Sequence, residues 1–358
     1  MKKKLWEVTT LKALLLIYIT LCLIIAGLNY GMGSSVSEKT HQLILKIWQF
    51  YENQFKTLLI IIGSWLTIRI IGKRSKMQKK NLIGFICAAL FIHIIGPILT
   101  GNNDLYFFSM PLPWSTTALQ LMAEKSDFYI RHVPLWGLSG ISAVLFIYLT
   151  ITIIVFLGTL IYGRRWQCST LCLFNGFIAE AFSPAFPVFQ RKKNNGAKII
   201  PIFKILKWLL LTVNIFFIIF WINSIMSKDF NYPIANLLAK IEVYKYLSTE
   251  LLMAMFLWVI FTGRGYCYYC PLGTVLGGIS RIAGQKIITD KTECINCKKC
   301  DLVCPMNIII STSAQIKKDV IDSRCVGCGH CVDICPVNTL EYSTKFLDAI
   351  TRCDIHKK

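Results

Sequence analysis

Fifteen cysteines stand in this 358-residue chain, and eight of them fall into two copies of one pattern. Cys294-Ile-Asn-Cys297-Lys-Lys-Cys300-Asp-Leu-Val-Cys304-Pro305 is echoed by Cys325-Val-Gly-Cys328-Gly-His-Cys331-Val-Asp-Ile-Cys335-Pro336. Three thiolates spaced this way can curl round one iron–sulfur cubane and occupy three of its corners. The fourth cysteine, turned away before proline, ligates the other cluster. The spacing therefore predicts two [4Fe-4S] clusters with crossed ligation. Cys294, Cys297, Cys300 and Cys335 hold one, and Cys325, Cys328, Cys331 and Cys304 hold the second. A zinc module is the alternative, but zinc spacings do not place four cysteines this way twice. Crossing staples the two halves together, so cluster binding and folding are expected to be coupled. His330, between two ligands, reads as a surface or supporting residue. Ligating thiols also imply a reducing compartment.

A second set of cysteines is spaced differently. Gly163-Arg164-Arg165-Trp166-Gln167-Cys168-Ser-Thr-Leu-Cys172 and Gly263-Arg264-Gly265-Tyr266-Cys267-Tyr-Tyr-Cys270-Pro271 each combine a Gly-Arg turn, an aromatic and a cysteine pair. Arg164, Arg165 and Arg264 favour the thiolate form. Four thiols are the right number for a third iron–sulfur cluster; a redox-active dithiol and plain packing are the alternatives. Cys168 and Cys172, four apart, are expected on one face of a continuing helix. Pro271 is expected to end the turn that presents Cys267 and Cys270.

The elements that must position these thiols are apolar. Apolar residues make up 54% of the chain and charged ones only 16%, which is too greasy for an ordinary soluble domain. Six runs, 11–28, 57–72, 82–100, 136–162, 205–226 and 247–263, approach the ~20 residues a bilayer requires. The first lacks a small-x-small cleavage site and reads as a retained anchor. The net charge of +20 does not indicate nucleic acid, because the basic residues sit in short loops between apolar runs.

On one side stand Lys2, Lys3, Lys4, Lys12, Lys73, Arg74, Lys76, Lys79, Lys80, Arg164, Arg165, Arg191, Lys192, Lys193, Lys198, Lys204 and Lys207. On the other stand only Lys39, Lys46, Lys56, Lys125, Arg131, Lys228, Lys240 and Lys245. The positive-inside rule then puts both termini, and every cysteine pair outside the apolar runs, on the cytoplasmic side of a bacterial inner membrane. Arg69 is expected to snorkel to the nearby interface. The architecture expected is a six-helix membrane domain over 1–284, a small α+β ferredoxin-like domain over 285–342, and a tail over 343–358 that carries no clear signal.

Several features read as bland. Cys22 and Cys87 are apolar fillers within membrane runs, and Cys353 is incidental. Met110-Pro-Leu-Pro-Trp114 reads as an interfacial turn with an aromatic anchor. His93 is the exception: an ionisable group at mid-membrane depth is a functional candidate, here for contact with a quinone, or for haem ligation if a second histidine such as His132 faced it.

With its paired cysteines after membrane runs and its terminal double cysteine repeat, the chain resembles the NapH/NosR-type membrane polyferredoxins. It departs from them where Leu173, not proline, follows Cys172, where two residues rather than three separate Cys267 from Cys270, and in starting directly at its first helix without a flavin-binding domain. The resemblance implies single-electron relay between the membrane quinone pool or a redox partner protein and a cytoplasmic centre, as a subunit of an oxidoreductase rather than a stand-alone enzyme. Two rival readings are a membrane metal reductase or oxidase-assembly factor, and a redox-sensing transporter. Few buried charges beyond Arg69 and His93 interrupt the membrane runs, which argues against a solute pathway.

Overall fold

The computed structural model describes residues 2–31, 37–186, 188, 194–227, 230–289 and 292–355. Arg191, Lys192, Lys193 and Lys228 of the charge count lie outside the described residues, as do the side chains of Lys2, Lys3, Lys4, Lys198 and Cys353. Long apolar stretches give long helices, and five are long and apolar enough to cross a membrane: Leu5–Gly31, Lys76–Thr100, Asp127–Tyr162, Ile199–Met226 and Tyr232–Ile260. The helix Asp127–Tyr162 is broken at Gly137 (φ 65°, ψ 171°), just after Pro134. Its apolar stretch therefore begins where the sequence placed it.

The sixth expected run, 57–72, behaves differently. It is the last part of a rod in which Glu38–Phe50 passes through a wider turn at Tyr51–Phe55 into Lys56–Ile70. Glu52, Lys56 and Arg69 interrupt its apolar surface, so it is not among the five. Glu52 and Lys56 face protein, while Arg69 is exposed. Lys56 Nζ lies 2.8 Å from Glu52, both buried. Arg69 Nε lies 3.1 Å from buried Glu7, and its guanidinium lies 4.7 Å from the Trp65 ring.

The cysteine-rich segment is closed by a two-stranded antiparallel sheet, Lys286–Ile288 against Glu341–Ser343, with Ile287 opposite Tyr342. This pairing joins the two ends of the cysteine repeat. The tail is helical over Lys345–Ile355, and Thr344 donates to the Ile161 carbonyl at 2.8 Å. Tyr342 donates to the Tyr162 carbonyl at 2.6 Å. One apolar core runs from Leu11 and Tyr18 through Phe177 to Val326 and Tyr342. The small domain is thus packed onto the helices rather than tethered to them.

Candidate iron-sulfur centres

Both cysteine repeats fold alike. Each has a short helix, Lys299–Val303 or His330–Ile334. Positive φ recurs at matching positions: Asn296 with Gly327, Lys298 with Gly329, and Asn307 with Asn338. Cys294, Cys297, Cys300 and Cys335 line one small hollow together. Asp301 turns inward beneath it and accepts from the Ile310 and Ser311 N–H groups at 2.7 and 2.9 Å. Cys304 lies with the other triad. Burial pushes the Cys325 thiol up to about 11, the Gly327 N–H opposes this, and Cys304 adds to it. Burial likewise pushes Cys304 up, against the N–H of Ile308, 3.4 Å from its sulfur. A bound cation or cluster would have to displace those protons.

Tetrahedral zinc brings its sulfurs to about 3.8 Å from one another. Among the described residues, the triple whose ligating atoms lie within 4.8 Å of one another is Glu180, Cys328 and His330, which mixes three residue types. No triple within a cysteine set contracts that far.

The second set of cysteines converges from two helix ends. All four are buried. The helix Asp127–Tyr162 stops at Gly163 (φ 70°), a wide turn covers Gln167–Leu171, and Cys172 is extended. Cys168 and Cys172 therefore do not share a face of a continuing helix. Pro271 does not end a turn either: it opens the helix Pro271–Ile282, with Cys270 as the cap whose sulfur accepts from the Gly273 N–H at 3.3 Å. Donors already point at two further sulfurs. Arg164 Nε lies 3.3 Å from Cys168, and Asn175 Nδ2 lies 3.2 Å from Cys267. Burial pushes Cys168 up while Arg164 opposes it, and burial also raises Cys172 and Cys270. Arg165 plays no part at these sulfurs: its Nη2 donates to Asn81 Oδ1 at 3.0 Å.

Residues 286–336 match the family of 4Fe-4S dicluster domains. That portion of the chain is an iron–sulfur electron-transfer domain, and it is joined to helices long and apolar enough for a membrane. An uncharacterised protein of Methanocaldococcus jannaschii is 33% identical over 76 residues, 21% of this chain and 31% of that relative. The chain therefore spans less than a third of the relative's length. No solved structure matches the chain.

The dicluster domain is held to the helices by polar contacts that the sequence did not announce. Glu180 is fully buried. Its carboxylate accepts from Arg264 Nη2 at 2.6 Å and lies 3.0 Å from His330 Nε2. Burial alone would raise this carboxyl, but His330 and Arg264 outweigh it and hold it at about 2. One side chain thus bridges the second cysteine turn of the membrane helices and the second repeat of the dicluster domain. Asn81 Nδ2 donates to the Cys328 carbonyl at 2.9 Å, and Ser169 to that of Val326 at 2.8 Å. Asp333 caps the start of the helix Lys76–Ala89, accepting from Met77 and Gln78 N–H at 3.1 and 2.9 Å; a carboxylate suits a helix N-terminus. The available signal was a lone acid in the apolar stretch after Cys172. Its partners are 84 and 150 residues away.

On the far side of the buried cysteines lies a cavity of about 820 Å³. It is lined by His93, Glu52, Lys56, Trp114, Phe174 and Glu250, among others, and His132 also reaches it. His93 is 1% exposed. Its Nδ1 lies 2.9 Å from Thr57 Oγ1, while Nε2 has no partner among the described residues. The cavity wall includes Leu173, next in sequence to Cys172. Met110 and Trp114 are both buried, and Trp114 Nε1 donates to Tyr266 at 3.1 Å. The irregular backbone here is satisfied by protein, with Asn214 donating to the Pro113 carbonyl at 2.8 Å and Lys245 to that of Trp114 at 3.3 Å. Cys22 is buried with aromatic neighbours in the core, and Cys87 is exposed on its helix.

Proposed function

We propose that the chain is a membrane-bound one-electron relay that connects a quinone in the 820 Å³ cavity with a redox partner protein at the dicluster domain. Cys294, Cys297, Cys300 and Cys335 would hold one [4Fe-4S] cluster, and Cys325, Cys328, Cys331 and Cys304 another. Cys168, Cys172, Cys267 and Cys270 would hold a third. Bound clusters supply reversible one-electron acceptors whose potentials respond to burial and hydrogen bonds. The chain's own residues do the rest. Arg164, Asn175 and the Gly273 N–H direct positive density at sulfur, and the apolar walls exclude water. His93 offers a buried imidazole nitrogen to a quinone oxygen.

The observation that carries this reading is position. The cysteine turn reaches both neighbours: Leu173, next to Cys172, lines the cavity, and Ser169, next to Cys168, donates to the second repeat. A relay needs a centre there. The helix rod ending at Ile70, added to the five apolar helices, would give six crossings. Both termini would then lie on the cytoplasmic side, as the charge bias favours. Iron and sulfide analysis of anaerobically purified protein tests the third centre. Two motifs alone give about eight irons, and a third cubane about twelve. The excess should vanish in Cys168→Ala and Cys267→Ala. Eight irons in the wild type, with electron transfer surviving replacement of all four thiols, would leave them as packing.

A further inference from the structure

We propose that the loop over residues 294–300 is the docking face for a soluble, acidic, one-electron carrier protein, a step that rests on reading its cysteines as cluster ligands. The internal repeat supplies the reason. Residues 294–300 and 325–331 share a backbone, with φ of 53° and 55° at Asn296 and Lys298 and 65° and 79° at Gly327 and Gly329. In the second copy this surface is already an interface. A Cβ on Gly327 would lie 2.6 Å from Arg165 Cβ, and one on Gly329 would lie 2.7 Å from Met77 Cβ. Asn81 and Ser169 bind the carbonyls of Cys328 and Val326 on the same loop. One copy of the face is therefore a proven seat for protein surface. In the other copy it stands open: Asn296, Cys297, Lys298 and Lys299 are all exposed, and Ile295 and Leu302 are 59% and 67% exposed.

The open copy also carries side chains that the covered one omits. Glycine is the residue best suited to positive φ, and a lysine there costs about 1 kcal/mol. The chain nonetheless puts Lys298 at that position, with Lys299 beside it. Among the described residues, four nearby acids are engaged elsewhere. Asp301 is capped by Ile310 and Ser311, Asp319 pairs with Lys286, Asp322 with Arg324, and Asp333 caps the helix Lys76–Ala89. Glu293, next to Cys294, is exposed and is the local countercharge. The result is a basic rim with two bare apolar side chains around Cys297, the most exposed ligand candidate. Complementary acidic charge would orient a partner on that rim and speed its arrival, while Ile295 and Leu302 would supply the contact.

The test uses the full chain, purified anaerobically in detergent with its iron, and an acidic bacterial flavodoxin as the probe. Flavodoxin should bind with an affinity that falls as salt rises. Lys298→Glu with Lys299→Glu should weaken binding at least about tenfold, with iron content and visible spectrum unchanged. Lys46→Glu, an exposed charge on the rod 38–70, should leave binding as it was. Lys298→Gly copies Gly329, so it should fold at least as well as the wild type and still bind more weakly. Equal binding by the wild type and both loop variants would overturn the docking face, as would the same loss from Lys46→Glu. A wild type without an iron–sulfur spectrum would overturn the ligand assignment beneath it, and the docking face with it.

Discussion

In the first cysteine repeat, Asn296 and Lys298 hold a left-handed backbone in the open; in the second, Gly327 and Gly329 hold the same backbone beneath Arg165 and Met77. Cys297 is exposed, whereas its counterpart Cys328 is buried under Asn81 and close to Glu180. Two nearly identical motifs thus face different surroundings, and the residues between their cysteines record the difference. Where protein packs against the loop there is no room for a side chain, and where the loop meets solvent the chain puts a charge. The comparison gives the dicluster domain a direction, with one end sealed to the helices and their buried thiols and the other end open.

The largest effect is expected where the sealed end is pinned. Glu180→Ala leaves Arg264, itself 1% exposed, as an uncompensated buried cation and removes the contact to His330. Breaking a buried pair by losing one partner costs about 3–5 kcal/mol. Thermal denaturation of the detergent-solubilised protein should show a large loss, and limited proteolysis should release the dicluster domain. Glu180→Gln, which keeps the shape without the charge, should show a smaller loss. If Glu180→Ala left both readouts unchanged, the sealed end would not depend on this bridge.

A smaller effect separates the repeats themselves. Gly329→Ala meets both a positive φ and Met77, so it should cost roughly 2 kcal/mol. Lys298→Gly at the matching open position should instead stabilise by about 0.5 kcal/mol, because only strain is removed. Parallel melts of the two variants sharpen the comparison. Shifts of the same sign and size would show that the two faces are equally free.

These contrasts also mark what was legible in the sequence. The double cysteine repeat is a local pattern, fixed by spacing of two and three residues, and so were five of the apolar runs, each a simple stretch of chain. The run 57–72 stands apart because the charges beside and within it, Glu52, Lys56 and Arg69, have partners that hydropathy along the chain cannot register. Cys168 and Cys172 were placed on a helix that Gly163 in fact stops. Trp114 is anchored by a hydrogen bond to Tyr266, 152 residues away, which the sequence around it does not announce. Glu180, Asn81 and Asn175 were missed for the same reason. Their roles depend on partners brought close only by the packed helices; a lone acid in an apolar stretch marks Glu180, and nothing nearby sets the two asparagines apart.

The central claim is that a sulfur-ligated centre lies between the cavity and the second repeat. Paramagnetic resonance of the fully reduced, anaerobically purified chain tests it most directly. Neighbouring reduced clusters broaden each other's spectra, so the wild type should show three interacting centres. In Cys267→Ala the third signal should disappear and the cluster at Cys325, Cys328, Cys331 and Cys304 should lose the broadening it contributed, while both dicluster signals persist. A wild-type spectrum of two centres that is unchanged in Cys267→Ala would contradict the account.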